Sequence, residues 1–413
     1  MDAAFLLEWL NLLLRWSHMI VGIAWIGASF YFIWLDNHLQ PPLDPADVTR
    51  GIGGEVWAVH GGGFYVARKF KVAPEKLPPH LHWFMWEAYT TLITGFFLLC
   101  LVYYYGAEVA LIDPSVMALG KPEAIAIGLG FLVLGWLVYD GLCRSPLGED
   151  DAVLGGLLAI FCAGSAWALC HLFSGRGAYI HFGAMLGTIM VLNVFFVIIP
   201  GQRELVKAKQ EGRVPDPKYG LKGRQRSVHN TYFTLPVVFA MLSTHYATAY
   251  AHADAWLVLA SFMAAGALIR QFFVLWHSGG RAWWMLGVAA LVLIGVFAWI
   301  KPRAPAPVAA PAAAAGAASM PAPQAAAASA NLPVPDSAAL MPLVAKHCAI
   351  CHSAHPQLMG AAPKGVLLDT VEQLDAHKAL IGRQVGVLRV MPPGNLTQLS
   401  EDERALIARW AGQ

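Results

Sequence analysis

Hydrophobic positions along the chain fall into two regimes. Up to about residue 300, apolar runs long enough to cross ~30 Å of hydrocarbon occur at about 6–35, 83–105, 123–143, 152–173, 178–200, 229–250, 255–276 and 282–300. They predict eight membrane helices and an all-α bundle. Residues 301–335 are almost entirely Ala and Pro, with no periodic apolar face, and read as a semi-extended linker. From 336 onward short helical patterns return. One covers 337–347, a weaker one 371–382, and Ser400-Glu401-Asp402-Glu403 forms a capping box that opens a last helix ending near Trp410. The predicted architecture is an eight-helix transmembrane domain (1–300), a linker (301–335) and a small helical domain (336–413).

Composition agrees with that division. The chain of 413 residues is 57% hydrophobic and only 13% charged, too apolar for a soluble protein. The start, Met1-Asp2-Ala3-Ala4-Phe5, has no basic region and no small-residue cleavage site follows, so the first helix is expected to be retained. The net charge of +2 hides a strong asymmetry. The first loop (37–82) carries five Lys/Arg and the fifth (201–228) eight, with Arg144 and Arg281 in the third and seventh; the even loops hold only Lys121 and Arg176. By the positive-inside rule the odd loops are cytoplasmic and both termini periplasmic, in a bacterial inner membrane. The basic loops are accounted for by topology, so nucleic-acid binding is not expected.

The tail carries the most specific motif. Cys348-Ala349-Ile350-Cys351-His352 has the spacing for covalent haem c attachment, with Cys348 and Cys351 as thioether donors and His352 beneath the iron. Met391, in Val390-Met391-Pro392-Pro393, suits the sixth position, because prolines stiffen the loop that would hold its thioether. His/Met ligation marks an electron carrier. Haem c is attached on the outer face of the inner membrane, which agrees with the charge asymmetry. A zinc site would want a second Cys/His pair, and the tail adds only His347, His355 and His377. The other cysteines, Cys100, Cys143, Cys162 and Cys170, sit in apolar runs and read as small buried hydrophobes. The tail looks like a class I cytochrome c.

Ionisable residues inside membrane spans are costly and are functional candidates by default. Toward the outer face lie His171, His181 and His245, with His18 nearer the middle. His18, His181 and His245 are candidates for a second, non-covalent b haem, against the alternative of interhelical hydrogen bonding. Toward the cytoplasmic face lie Asp36, His82, Glu87, Asp140, Asn193, His229, Asn230, Thr231, Thr234, Arg270, Gln271 and His277. Glu87 and Arg270 form either a buried ion pair or part of a polar pocket, rimmed by His60-Gly61-Gly62-Gly63. No Gly-Lys-Ser/Thr follows the glycines, and no Ser/His/Asp order or HExxH is present.

At this point the sequence resembles the bacterial membrane-bound, cytochrome-c-linked urate oxidases. The likeness rests on Arg15-Trp16-Ser17-His18 through Asp36, on Glu55-Val56-Trp57-Ala58-Val59-His60-Gly61-Gly62-Gly63-Phe64-Tyr65, on Leu81-His82-Trp83-Phe84-Met85-Trp86-Glu87-Ala88-Tyr89, on Asn193-Val194-Phe195-Phe196-Val197-Ile198-Ile199-Pro200 and on His229-Asn230-Thr231-Tyr232-Phe233-Thr234-Leu235-Pro236, followed by the fused cytochrome. The resemblance implies oxidation of urate to 5-hydroxyisourate, with electrons passed to haem c and on to a soluble cytochrome c or terminal oxidase, without hydrogen peroxide as product. Residue roles follow from depth and chemistry. Arg270, Asn193, Thr234 and His60 are the expected substrate-binding groups, with Arg270 as a planar donor fork for the anion. Glu87, His82 and His229 are the expected bases, and Thr231 would orient water. Two further readings are a quinol- or porphyrinogen-oxidising haem membrane protein and a transporter with a redox-sensing cytochrome.

Overall fold

The structure, a computed structural model, describes residues 3–301, 334–358 and 362–412. Most of the Ala/Pro linker (302–333) therefore lies outside the described residues. Backbone contacts divide the chain into two units: Leu6–Ile112 with Val116–Trp299, and Ile300–Gln413 with Met1–Phe5 and Asp113–Ser115.

The long helices of the larger unit among the described residues are α1 (Ala3–Asn37), α2 (Trp86–Leu99), α3 (Lys121–Arg144), α4 (Asp151–Leu172), α5 (Gly175–Asn193), α6 (Pro217–Ser243), α7 (Ala255–His277) and α8 (Trp284–Ile300). Among the described residues six spans are long and apolar enough to cross a membrane: α1, α2 with its π-helical extension to Tyr104, α3, α4, α5 with its continuation to Gln210, and α7. The other two expected spans depart from that standard. α6 is 27 residues long but opens with Lys218, Lys222, Arg224 and Arg226, and α8 is apolar but only 17 residues. The expected loop at 201–228 is mostly helical. Its Arg-Glu-Leu-Val-Lys-Ala-Lys-Gln run consists of good helix formers, so charge ends the apolar span without ending the helix.

The bundle is centred on α5, which packs against α3, α4 and α6. Close approach of α3 to α5 depends on two glycines seven residues apart on one face. A Cβ on Gly128 would sit 2.7 Å from His181 Nε2, and one on Gly135 would sit 2.5 Å from Met185 Cγ. Small residues at such crossings let backbones approach where lipid offers no hydrophobic drive.

The all-α expectation needs one correction. Residues 52–70 form an antiparallel hairpin of β1 (Ile52–His60) and β2 (Gly63–Phe70). Gly61 and Gly62 take positive φ (57° and 82°), the conformation of a two-residue hairpin turn, which is what the glycine run supplies. The flanking Val, Trp, Phe and Tyr favour strand. At the base of the hairpin Glu55 is buried. Its carboxylate accepts from the backbone N–H of Leu43 (3.0 Å), the Trp57 indole (2.9 Å) and Arg68 Nε (3.2 Å), and Arg68 also reaches buried Asp47 at 2.9 Å. These donors, the Leu43 amide first, hold the Glu55 carboxyl below the usual carboxylate range.

The smaller unit has its own core of Leu340, Val344, Leu368, Leu374, Val385, Leu399, Ile407 and Trp410. Its helices are α9 (Ser337–His347), α10 (Val371–Ala376) and α11 (Glu401–Trp410). The expected helix at 371–382 breaks at His377 and resumes as Lys378–Ile381 and a π-turn to Val387. The expected box at Ser400/Glu403 is present, and a second, Thr370/Gln373, opens α10. Trp410 Nε1 donates to Ser337 Oγ (2.9 Å), joining the first and last helices.

Candidate functional site

The densest polar cluster lies where the C-terminal ends of α3 and α5 meet the first half of α6. Arg226, His229, Asn230 and Phe233 recur on one face of α6, turned toward α3 and α5. Arg226 is buried, bonds Asp140 (Nη2–Oδ1 2.8 Å) and lies over the Tyr139 ring at 4.9 Å. Asp140 is shared with Arg144, one turn on, at 2.6 Å.

The hydrogen bonds in this cluster have a fixed direction. Arg226 can only donate, so at 3.3 Å Asn193 Oδ1 accepts. At the other end Asn230 Nδ2 donates to the Met190 carbonyl (3.0 Å), so Asn230 Oδ1 accepts from Asn193 Nδ2 at 2.9 Å. Asn193 Nδ2 also donates to the Tyr139 oxygen (3.0 Å), and the phenol proton is then directed at His229 Nδ1, 2.8 Å away. A proton on His229 Nε2 is the tautomer consistent with this direction. Asn193, fully buried, is the junction.

The expected residues are distributed unevenly. Asn193 and His229 meet in this network. Thr231 and Thr234 are buried beside it, but each hydroxyl donates to its own helix, to the Val228 carbonyl (2.7 Å) and the Asn230 carbonyl (2.9 Å). His82 is exposed with its ring against Phe84, and His60 is exposed at the hairpin turn. Tyr139 and Arg226 were not among the expected site residues. By sequence Arg226 falls in a basic loop, and its spacing of three and four from His229 and Asn230 is the sequence signal of a shared face.

Arg270, on α7, is the second concentration. It is 6% exposed and lies over the Phe30 ring at 5.2 Å, yet its Nε and Nη2 have no hydrogen-bond partner. Those two donors form one edge of the guanidinium, the edge that grips two adjacent acceptors. Two turns along α7, His277 Nδ1 is likewise buried and unpartnered, with the His38 ring 4.8 Å from its own. Beside Arg270, Gln271 accepts from Tyr232 of α6. Glu87 does not pair with Arg270. Its Oε2 is buried and unpartnered too.

Toward the opposite ends of the helices, His18 Nδ1 lies 3.0 Å from Thr94 Oγ1. His181 is fully buried, bonded through Nδ1 to the Gly177 carbonyl (2.8 Å) and through Nε2 to the Tyr104 hydroxyl (3.2 Å). Thr94 and Tyr104 lie ten residues apart on one continuous helix, about 15 Å along its axis. His245 is exposed in the turn after α6.

In the smaller unit, the turn after α9 brings Cys348, Cys351 and His352 together, with the amides of Cys351 and His352 both donating to the Cys348 carbonyl (3.0 and 2.8 Å). The His352 Nδ1–H donates to the Val366 carbonyl (3.0 Å), which leaves Nε2 free to act as a ligand. Met391 packs against the same core as Cys348. Its backbone is pinned by Arg404, whose Nη1 donates to the carbonyls of Met391 (2.9 Å) and Val385 (2.8 Å). Two free thiols, an oriented imidazole and a fixed thioether loop are a donor set that fits a covalently held haem.

Comparison with known proteins adds one finding. A family model described as Urate oxidase N-terminal matches residues 4–301. No curated protein and no solved structure matches. The matched region contains α1 to α8, the buried network and Arg270, and the chain belongs to the urate oxidase N-terminal family.

Proposed function

We propose that this chain is a membrane-bound urate oxidase that converts urate to 5-hydroxyisourate and delivers the electrons to its own haem c. From there they pass to a soluble cytochrome c or a terminal oxidase of the respiratory chain, without hydrogen peroxide as product. The observation that carries this reading, together with the family, is the buried Arg270 edge with two unsatisfied donors. A buried, unpartnered guanidinium is costly, and an anion that repays the cost is the natural occupant. The urate monoanion has lost its N3 proton, so N3 and the C2 carbonyl present two adjacent acceptors in one plane, which is the complement of that edge. Phe30 offers a flat apolar surface beside the same guanidinium.

In this reading urate plus water gives 5-hydroxyisourate, two protons and two electrons. Arg270 holds the anion, and Glu87, whose Oε2 has no other partner, accepts a proton from the attacking water. His229, held with its proton on Nε2, acts as a donor rather than a base. Cys348 and Cys351 would hold the haem covalently, with His352 and Met391 on the iron, and the group supplies a one-electron acceptor. The reading includes α6 and α8 as two further spans, cytoplasmic basic loops and a periplasmic cytochrome domain in a bacterial inner membrane.

The test uses the full chain in detergent or nanodiscs. Urate should reduce the haem c band with no peroxide released. Arg270→Lys should raise the urate concentration needed by roughly tenfold or more, since a point charge cannot replace two parallel hydrogen bonds. Glu87→Gln should slow reduction with little change in that concentration. Urate-dependent reduction at the normal rate in both variants would move the site elsewhere. Reduction by a quinol but not by urate would replace the substrate.

A further inference from the structure

We infer that the 52–70 hairpin is a membrane-docking element, laid on anionic lipid through one face of its sheet. Opposed residues share a face, and the register pairs Trp57 with Val66 and Val59 with Phe64. All four are exposed, at 54%, 41%, 70% and 81%. One face of a two-stranded sheet is thus apolar from its middle to its turn and covered by nothing else among the described residues. Such a sheet is marginal in water, and its apolar face needs an apolar environment.

Three observations favour lipid as that environment. The hairpin emerges beside the end of α1, a helix apolar enough to span a membrane. Lys69 Nζ meets Asp36 Oδ2 at 2.7 Å, and Gln40 bridges to Glu55, so the base of the sheet is fixed at the level where that helix ends. The exposed set is rich in aromatic side chains, the kind that settles at the headgroup level. The surrounding charge complements anionic headgroups. Among the described residues Lys71 and Lys76 are exposed and make no ion pair, while of the five carboxylates Asp36, Asp44, Asp47, Glu55 and Glu75, two (Asp47 and Glu55) are buried and Asp36 is held by Lys69. Burying Glu55 at the base also keeps a negative charge off the docking face.

The experiment places the photoreactive amino acid p-benzoylphenylalanine at Phe64 of the full haem-loaded chain, in nanodiscs containing phosphatidylglycerol. The same label at Ile23, exposed on the apolar flank of α1, is the positive control. Irradiation should give a lipid adduct on the peptide containing residue 64 in a yield comparable to that at residue 23. Val59→Asp, which alters the face without touching the Glu55 hydrogen bonds, should abolish it. A crosslink to a second copy of the chain or to another segment of the same chain overturns the proposal. So does an absence of lipid adduct at 64 while 23 labels. None of these outcomes depends on urate oxidation.

Discussion

At the scale of single residues, Asn193 and Arg226 show how charge can set direction without taking part in chemistry. Arg226 forces one end of the Asn193 amide to accept, and the Met190 carbonyl fixes the neighbouring amide of Asn230 from the other side. Tyr139 is left with a single direction for its proton. Tyr139→Phe deletes that proton, takes the phenol from His229 Nδ1 and leaves Asn193 Nδ2 with Asn230 Oδ1 alone, at a cost of about 1–3 kcal/mol. The expected outcome is a lower melting temperature for the solubilised protein, together with a change in the 15N signals of the histidine whose resonances vanish in His229→Gln. Unchanged histidine signals in Tyr139→Phe would mean that the phenol does not set the tautomer. Most of this network was legible in the sequence. Asn193, Asp140, His229 and Asn230 stand out because polar groups in apolar runs are rare. Tyr139 does not, because a tyrosine in a membrane helix raises no alarm. Arg226 was hidden because a positive charge near a helix end is adequately explained by topology.

At the scale of elements, capping and spacing were the readable signals, and context was the unreadable one. The Ser400/Glu403 box and the helix Ser337–His347 follow from local chemistry and are present as read. The hairpin was missed because it lay in a stretch treated as a connecting loop. Its three glycines read as the rim of a polar pocket, whereas the alternating Val-Trp-Ala-Val and Phe-Tyr-Val-Ala on either side make them a turn. In the smaller unit Glu403 does more than cap. It accepts from Lys346 (2.9 Å) and from the Ser400 amide (2.8 Å), and lies 3.3 Å from His347. The Lys346 ammonium first, then the Ser400 amide, pull its carboxyl down to about 2 from an ordinary 4.5. A carboxyl depressed in the folded state stabilises fully above its unfolded value. That contribution fades as pH falls from about 4.5 toward 2. Acid titration of the full chain, followed by circular dichroism, should show loss of native signal in that window. Glu403→Gln should be less stable at neutral pH and flatter across it. A variant with an unchanged acid profile would assign the transition to another carboxyl.

At the scale of the whole molecule, two compositional regimes lie largely in two separate units, and the asymmetry of charge along the chain was visible before any fold was. What the sequence could not show was which charges remain free once the helices meet. Asp140 makes the point. Arg144 reaches it from the same helix, four residues away and largely exposed, while Arg226 reaches it from 86 residues further along and is buried. Arg144 is translated four residues after Asp140 and Arg226 much later, so of the two partners Arg144 is at hand first. A local pair made in that order would act as a chaperone in cis, covering the carboxylate until its later partner arrives. Arg144→Gln should therefore lower the amount of chain that survives biogenesis, while the protein that does mature melts and turns over normally. Arg226→Gln should lower both yield and melting temperature, since it leaves Asp140 with the exposed partner alone. Pulse-chase survival set beside the melting temperature of the purified protein separates the two. Equal losses in both measurements for both variants would mean that the order of translation has no bearing on how this ion pair is made.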